Sequence, residues 1–311
     1  MTTPITCLLG PQRFDPNVAA VLSDHRLAGR VAVVTAGWQE RETEDQELRD
    51  HLPLPVKNLE LYRRAEEVFR ADEDLSRLMR ERQEQLRRLQ KYYRIRLEYL
   101  LECARDLFGR EDDAAILAPE KEDAVDSVRR LDQHHLARVR QVHGEFEDRH
   151  SPHLRPAVAR HREQLGAILA ESDLVMIAGG HAAVLLNRLR LFGLDGMVRH
   201  LPVLAWSAGA MVLSEQVVLF HDSPPQGAGN AEILDAGLAR CRGIVPLPRA
   251  STRLRLNDPV RVSILAGRFR DQACIALDPG SRVTFSDGRR LAGQGTRRLH
   301  PDGTVRQMES L

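Results

Sequence analysis

At 311 residues, with 45 Lys+Arg against 44 Asp+Glu, the chain carries a formal net charge of +1, which removes any global electrostatic argument for nucleic acid or a strongly acidic partner. A hydrophobic content of 42% suits a globular protein, no uninterrupted apolar run reaches the length of a membrane span, and the opening MTTPITCLLGPQRF lacks the basic and apolar regions of a signal peptide. Cys7, Cys103, Cys241 and Cys274 form no CxxC pair, so reduced thiols in a cytoplasmic protein are expected rather than disulfides or zinc.

Residues 5–9 read as a short first strand ended by Gly10-Pro11, followed by a helix over 17–24 and a second strand over 30–35. Two such units favour an open parallel sheet. The second strand runs into Ala36-Gly37-Trp38-Gln39-Glu40-Arg41-Glu42. Loops at strand carboxyl ends line the ligand crevice of an open α/β sheet, which makes Trp38, Gln39 and Glu40 candidates for holding a peptide-like substrate. Glu40 or Glu42 is also a candidate carboxylate for the site. The alternative is a loop with Trp38 packed on the next helix.

From 58 to 147 glycine almost disappears, and Arg, Glu, Gln and Leu dominate. Leu75, Met79, Leu86, Leu89, Tyr93, Leu100, Ala104 and Leu107 recur in a three-four alternation, interrupted by Arg82 and Arg96. That pattern predicts a long amphipathic helix. A break over 109–122, containing Pro119, separates it from a second helix through Val125, Val128, Leu131, Val139, Val142 and Phe146. The expected organisation is an α/β body, 1–57 and 151–311, from which 58–150 projects as a coiled-coil-like hairpin insertion. The basic runs alternate with glutamates and read as solvated faces, not as a nucleic-acid patch. Tyr92, Tyr93 and Tyr99 are expected to pack between helices. His134, His135, His143, His150, His153 and His161 lack HExxH spacing, so no metal is expected. Self-association into a homo-oligomer, or docking of a protein partner, is the role expected of the hairpin.

A helix over 155–171 leads into the stretch that organises the rest, residues 174–212. Two apolar runs, 174–178 and 202–206, have the length of buried parallel strands, and a helix-length segment over 182–200 joins them. The second run continues into Ala205-Trp206-Ser207-Ala208-Gly209-Ala210, a version of the G-x-S-x-G nucleophile elbow with Ala in its first slot. The first run ends in Ala178-Gly179-Gly180-His181, where glycines let a backbone N–H approach a ligand. An acyl-transfer site needs two N–H donors for the oxyanion, and Gly180 and Ala208 are placed to supply them, with Gly179 beside the substrate.

The glycine pair, the helix, the strand and Ser-Ala-Gly-Ala together resemble peptidase family S51, the cyanophycinase and aspartyl-dipeptidase type of serine hydrolase, over about 174–277 and more loosely over 6–37. The resemblance implies a flavodoxin-like fold akin to class I glutamine amidotransferases, a mostly parallel sheet flanked by helices. It implies Ser207 as nucleophile and Gly180 and Ala208 as oxyanion donors. The family usually has Asn where this chain has His181. Its catalytic histidine follows a downstream strand, and the matching stretch, Gly243-Ile244-Val245-Pro246-Leu247-Pro248-Arg249, puts Arg249 there. A guanidinium stays protonated and cannot act as a base. His181, on the adjacent strand end, is the first candidate for a relocated base and His221 the second.

Further strands are expected over 215–220, 244–247 and 274–277, a helix over 259–266, a hairpin over 282–291 turning at Asp287-Gly288, and a last strand pair near 301–305. The Pro/Gly-rich segment 221–230 is a candidate lid. No phosphate-binding glycine motif follows a strand, so no nucleotide or other cofactor is expected. Three readings stand: a serine peptidase or amidase, an inactive relative that binds an acidic small molecule through Arg249, and a platform for the hairpin.

Overall fold

The computed structural model describes residues 4–13, 16–222 and 229–308. Its main sheet contains β1 (Ile5–Leu9), β2 (Val31–Val34), β3 (Val56–Asn58), β4 (Leu174–Ile177) and β5 (Val203–Trp206), parallel and in the order β1-β5-β4-β2-β3. Every residue of β2, β4 and β5 is buried, which explains why they read as unbroken apolar runs and not as alternating ones. β6 (Gln216–Leu219) and β7 (Glu232–Ala236) pair apart from the main sheet. β8 (Ile244–Pro248) and β9 (Ala273–Leu277) lie parallel in a second sheet. The chain then returns: β10 (Arg282–Ser286) pairs antiparallel with β1, and β11 (Arg289–Gln294) extends that edge. Asp287 and Gly288 turn this hairpin with φ of 49° and 70°, as a two-residue turn with both central residues left-handed requires. β12 (Arg297–Leu299) and β13 (Val305–Gln307) complete the second sheet.

The helices are α1 (Val18–Asp24), α2 (Gln46–Asp50), α3 (Leu61–Ala71), α4 (Glu73–Phe108), α5 (Ala114–His150), α6 (Pro156–Ala170), α7 (Ala182–Leu191), α8 (Leu194–Met197), α9 (Ala208–Val212), α10 (Ala250–Arg253) and α11 (Pro259–Arg268). The single helix expected over 182–200 is divided because Gly193 adopts φ 58° and starts a new turn. The fold is therefore the α/β, flavodoxin-like arrangement expected, with a second sheet beside it.

The long hairpin is α4 and α5. Its turn is shorter than expected, and Pro119 sits inside α5 instead of ending a helix. The hairpin also lies along the body instead of standing away from it. Leu97, Leu101 and Val128 share one hydrophobic cluster with Phe192 and Ile275 of the body. At the contact, Arg268 of α11 meets Asp132 of α5 through both carboxylate oxygens, Nε–Oδ2 2.5 Å and Nη2–Oδ1 2.8 Å. Tyr93 of α4 donates its hydroxyl to Asp132 at 2.8 Å and accepts from the Ile233 N–H at 3.1 Å. Arg82, which breaks the apolar seam, is buried over the Phe146 ring at 4.4 Å. Of the three tyrosines expected between helices only Tyr93 is there; Tyr92 and Tyr99 are exposed. Tyr93 packs inward because it falls in phase with Leu86, Leu97 and Leu101, and the other two do not.

Candidate active site

The parallel order places the carboxyl ends of β2, β4 and β5 side by side, so the loops after all three converge. Ser207 follows β5 and precedes the five-residue α9, with φ 53° and ψ −123°. A non-glycine residue costs about 1–3 kcal/mol in such a conformation. This is the sharp strand-to-helix turn that lifts a nucleophile out of a sheet edge. Its side chain is part-exposed, and no described residue hydrogen-bonds to its Oγ.

The glycines explain how the backbones fit. A Cβ on Gly179 would lie 2.6 Å from the Ser207 Cβ and 3.4 Å from the Ala208 nitrogen, so only glycine leaves room beside Ser207. Gly180 has φ 108°, and a Cβ there would meet the Gly37 carbonyl oxygen at 2.3 Å. That carbonyl accepts the His181 N–H at 2.7 Å, stapling the loop after β2 to the loop after β4. The Gly180 N–H has no acceptor among the described residues, and Ala208 opens α9, where first-turn N–H groups have no partner within the helix. Two donors are thereby left next to Ser207.

Ser207, Gly179, Gly180, Ala208, Trp38, His221 and Arg249 line one cavity of about 710 Å³. The sequence-predicted residues left outside it are His181, Gln39, Glu40 and Glu42. His181 is exposed and its Nδ1 accepts the Val184 N–H at 3.3 Å, capping α7. With Nδ1 accepting, the neutral ring carries its proton on Nε2 and has no lone pair to offer Ser207. Glu40 accepts from the Tyr62 hydroxyl at 2.8 Å, and Glu42 is buried, accepting the Tyr62 and Arg63 N–H groups at the start of α3. Both carboxylates thus hold α3. The candidate lid lies mostly outside the described residues, which omit 223–228.

His221 follows β6, and its imidazole pKa is pushed below the ordinary value, first by burial and then by the Arg253 charge. No described carboxylate pairs with it. Arg249 heads α10 with φ 57°, and Arg253 lies one turn on. Both guanidiniums reach the cavity, and neither has a carboxylate partner among the described residues. Burial and the neighbouring Arg249 charge lower the Arg253 pKa.

Arg41, in the loop that the sequence places at this sheet edge, lines the cavity; sequence reasoning missed Arg253, and also His51 and Glu44, which line it too. A spacing signal existed for one of them: Arg253 is four residues beyond Arg249 and so on the same helical face. His51 gave none, since it enters through α2, a helix the sequence reading did not separate. Among the described residues no group of three His, Cys, Asp or Glu side chains is arranged to hold a metal, and no helix is long and apolar enough to cross a membrane.

Among curated proteins, none matches the sequence. A crystal structure of a protein provisionally described as a peptidase E from Listeria monocytogenes EGD-e superposes with a TM-score of 0.45 at 10% identity, covering 96% of this chain and 99% of that one. A likeness so slight leaves the argument to the residues of the site. A family model does match: it begins near the hairpin turn, takes in α5, which the sequence reading had left outside the resemblance, and ends with β7, before Arg249. Over residues 110–236, the stretch that holds Gly180, Ser207 and Ala208, this chain is a match to peptidase family S51.

Proposed function

We propose that the protein is a serine-type hydrolase of peptide or isopeptide-like amides, with Ser207 as nucleophile. The observation that carries this reading is the strained Ser207 turn, φ 53° and ψ −123°, set beside unpaired N–H donors at the head of a cavity. In the proposed reaction Ser207 Oγ attacks the substrate carbonyl and its proton passes to a histidine. The Gly180 and Ala208 N–H groups hold the oxyanion, and the protonated imidazole then protonates the leaving amine. Water hydrolyses the acyl-enzyme by the same base.

His221 is the base this reading favours. It shares the cavity with Ser207, whereas His181 is committed to capping α7. Arg249 and Arg253 would hold a carboxylate of the substrate, and Trp38 its apolar part.

A second reading has its own observation in favour: among the described residues no base is bonded to Ser207, and Arg249 occupies the position where the family resemblance expects histidine. In that reading the cavity binds an acidic small molecule without turning it over. A fluorophosphonate probe separates the two. Labelling lost in both Ser207→Ala and His221→Ala but kept in His181→Ala supports the hydrolase with His221 as base. Labelling that also survives His221→Ala would overturn the base assignment, and none in the folded wild type would leave the binding reading.

A further inference from the structure

His143 stands where α5 meets α7 and β7. It falls among Val139, Val142 and Phe146 on the buried face of α5, and its side chain is 12% exposed. Its Nε2 lies 2.8 Å from Oδ1 of Asp235 on β7 and 2.8 Å from Nη1 of Arg190 on α7. Arg190 also donates to that carboxylate oxygen at 3.1 Å and to the Ala236 carbonyl at 2.6 Å. The other ring nitrogen, Nδ1, is buried with no hydrogen-bond partner among the described residues. When the neutral ring gives its one proton from Nε2 to Asp235, Nδ1 is a bare acceptor. A second proton creates a buried N–H with nothing to receive it, and a new positive charge beside two others. Those two are Arg190 and Arg82 of α4, which is bonded to Asn187 of α7 at 3.2 Å. The facing carboxylates are Asp235 and, one turn along α5 and acting on Arg82, Glu147. Burial first, with the Arg190 and Arg82 charges behind it, holds the His143 pKa below its ordinary value, although Asp235 pulls the other way.

We infer that His143 is an acid-sensitive latch: a proton taken up on Nδ1 releases this end of α5 from α7 and β7. Once released, the ring meets water and titrates near its ordinary value of about 6.5; latched, it titrates lower. The latch is therefore closed above about 6.5, and below it each pH unit favours opening by up to about tenfold until the latched value is reached. Arg82, brought down to about 10 by burial, stays charged over that window. Asp235, which burial would raise but the His143 hydrogen bond and the Arg190 charge carry lower, stays charged as well. His135, two turns earlier in α5, is stacked on Tyr93 with ring centroids 4.0 Å apart and lies 3.0 Å from the Gln90 amide oxygen, so its titration bears on the contact with α4. Gly144 marks where α5 gives way. It is exposed, a Cβ there would meet nothing within 4 Å, and only proline forms helix less readily, so packing does not require glycine. The helix held by the latch, α7, begins two residues after Gly180.

The test is hydrogen exchange of the full chain, read by mass spectrometry from about pH 7.5 to about pH 5 and corrected for the intrinsic amide rates. Protection over residues 139–147 is expected to be level above about 6.5 and to fall by up to about tenfold per unit below it. His143→Gln puts a neutral amide where Nε2 donates to Asp235, and protection there should stay level throughout. His135→Gln should keep the wild-type slope over 139–147. Proton NMR of the His143 ring in the wild type is a second measurement that needs no variant, and its midpoint is expected below the ordinary 6.5. Level protection in the wild type, a slope that survives His143→Gln, or a ring that titrates at or above the ordinary value would each overturn the proposal.

Discussion

Gly179→Ala is the most direct test of how the site is built. Gly179 does not have a positive φ, so alanine suits its backbone, and the effect comes from one methyl group. That Cβ would stand 2.6 Å from the Ser207 Cβ, against the 3.4 Å at which ordinary contact begins. Ser207 or the glycine loop must therefore move by about 0.8 Å. The loop cannot recoil freely, because the adjacent Gly180 already abuts the Gly37 carbonyl. Displacements of about 1 Å at a reacting group cost on the order of 10²-fold in rate. That is about 2.7 kcal/mol on the barrier at 1.36 kcal/mol per tenfold. The expected result is a fluorophosphonate labelling rate near one hundredth of wild type. Overpacking should also cost about 1–3 kcal/mol of stability in a urea titration. An unchanged labelling rate with an unchanged melt would refute the crowded geometry argued for the Gly179–Ser207 contact.

Arg268→Met leaves Asp132 charged, buried and short of its bidentate partner, and is expected to cost about 3–5 kcal/mol in urea unfolding. Because the hairpin and body share one core, the variant should still unfold in a single transition; an early transition that melts the hairpin alone would count against that shared core. Ser207→Gly removes the cost of a positive φ on a side-chain-bearing residue, and is expected to raise stability by about 1 kcal/mol while ending all labelling. A destabilised variant would argue that Ser207 is unstrained. For His221, the neutral form is the base, so labelling should rise with pH through a value below the ordinary 6.5. Arg253→Ala withdraws the second of the two causes of that lowering and should move the inflection upward, measured as a pH–rate profile; no movement would remove His221 or its neighbour from the account.

The elbow was legible because a strand, a serine and small residues are adjacent in sequence, and the backbone collisions that exclude side chains there act over a few residues. Gly179 and Gly180 were legible for the same reason. The long helices declared themselves by period, yet the period alone did not show that they lie on the body. That depends on Asp132 finding Arg268, 136 residues away, and Tyr93 finding Ile233. Tyr92 and Tyr93 show the limit within one helix. Adjacent identical residues point to different faces, and only the phase set by Leu97 and Leu101 decides which is buried. His181 was a reasonable candidate from its place on the strand end. It leaves the cavity because the residue before a helix is also the residue best placed to cap it, and Val184 N–H takes its Nδ1. His51 joined the site through tertiary convergence that leaves no mark on local spacing, whereas Arg253 left one, its four-residue distance from Arg249.

The absence of a described carboxylate beside His221 bears on how the proposed hydrolase would work. In a triad the acid stabilises the imidazolium that forms when the serine gives up its proton. Here the charge that acts on His221 is Arg253, which opposes that imidazolium. A substrate carboxylate seated between Arg249 and Arg253 would neutralise part of that opposition and make His221 more basic at the moment a proton must be taken. The substrate would then supply what the described residues do not, and selectivity for acidic substrates would appear in kcat as well as in KM. Amide substrates that differ only by a carboxylate or its neutral amide measure this directly. A difference confined to KM would mean that the arginines bind the substrate without helping the base.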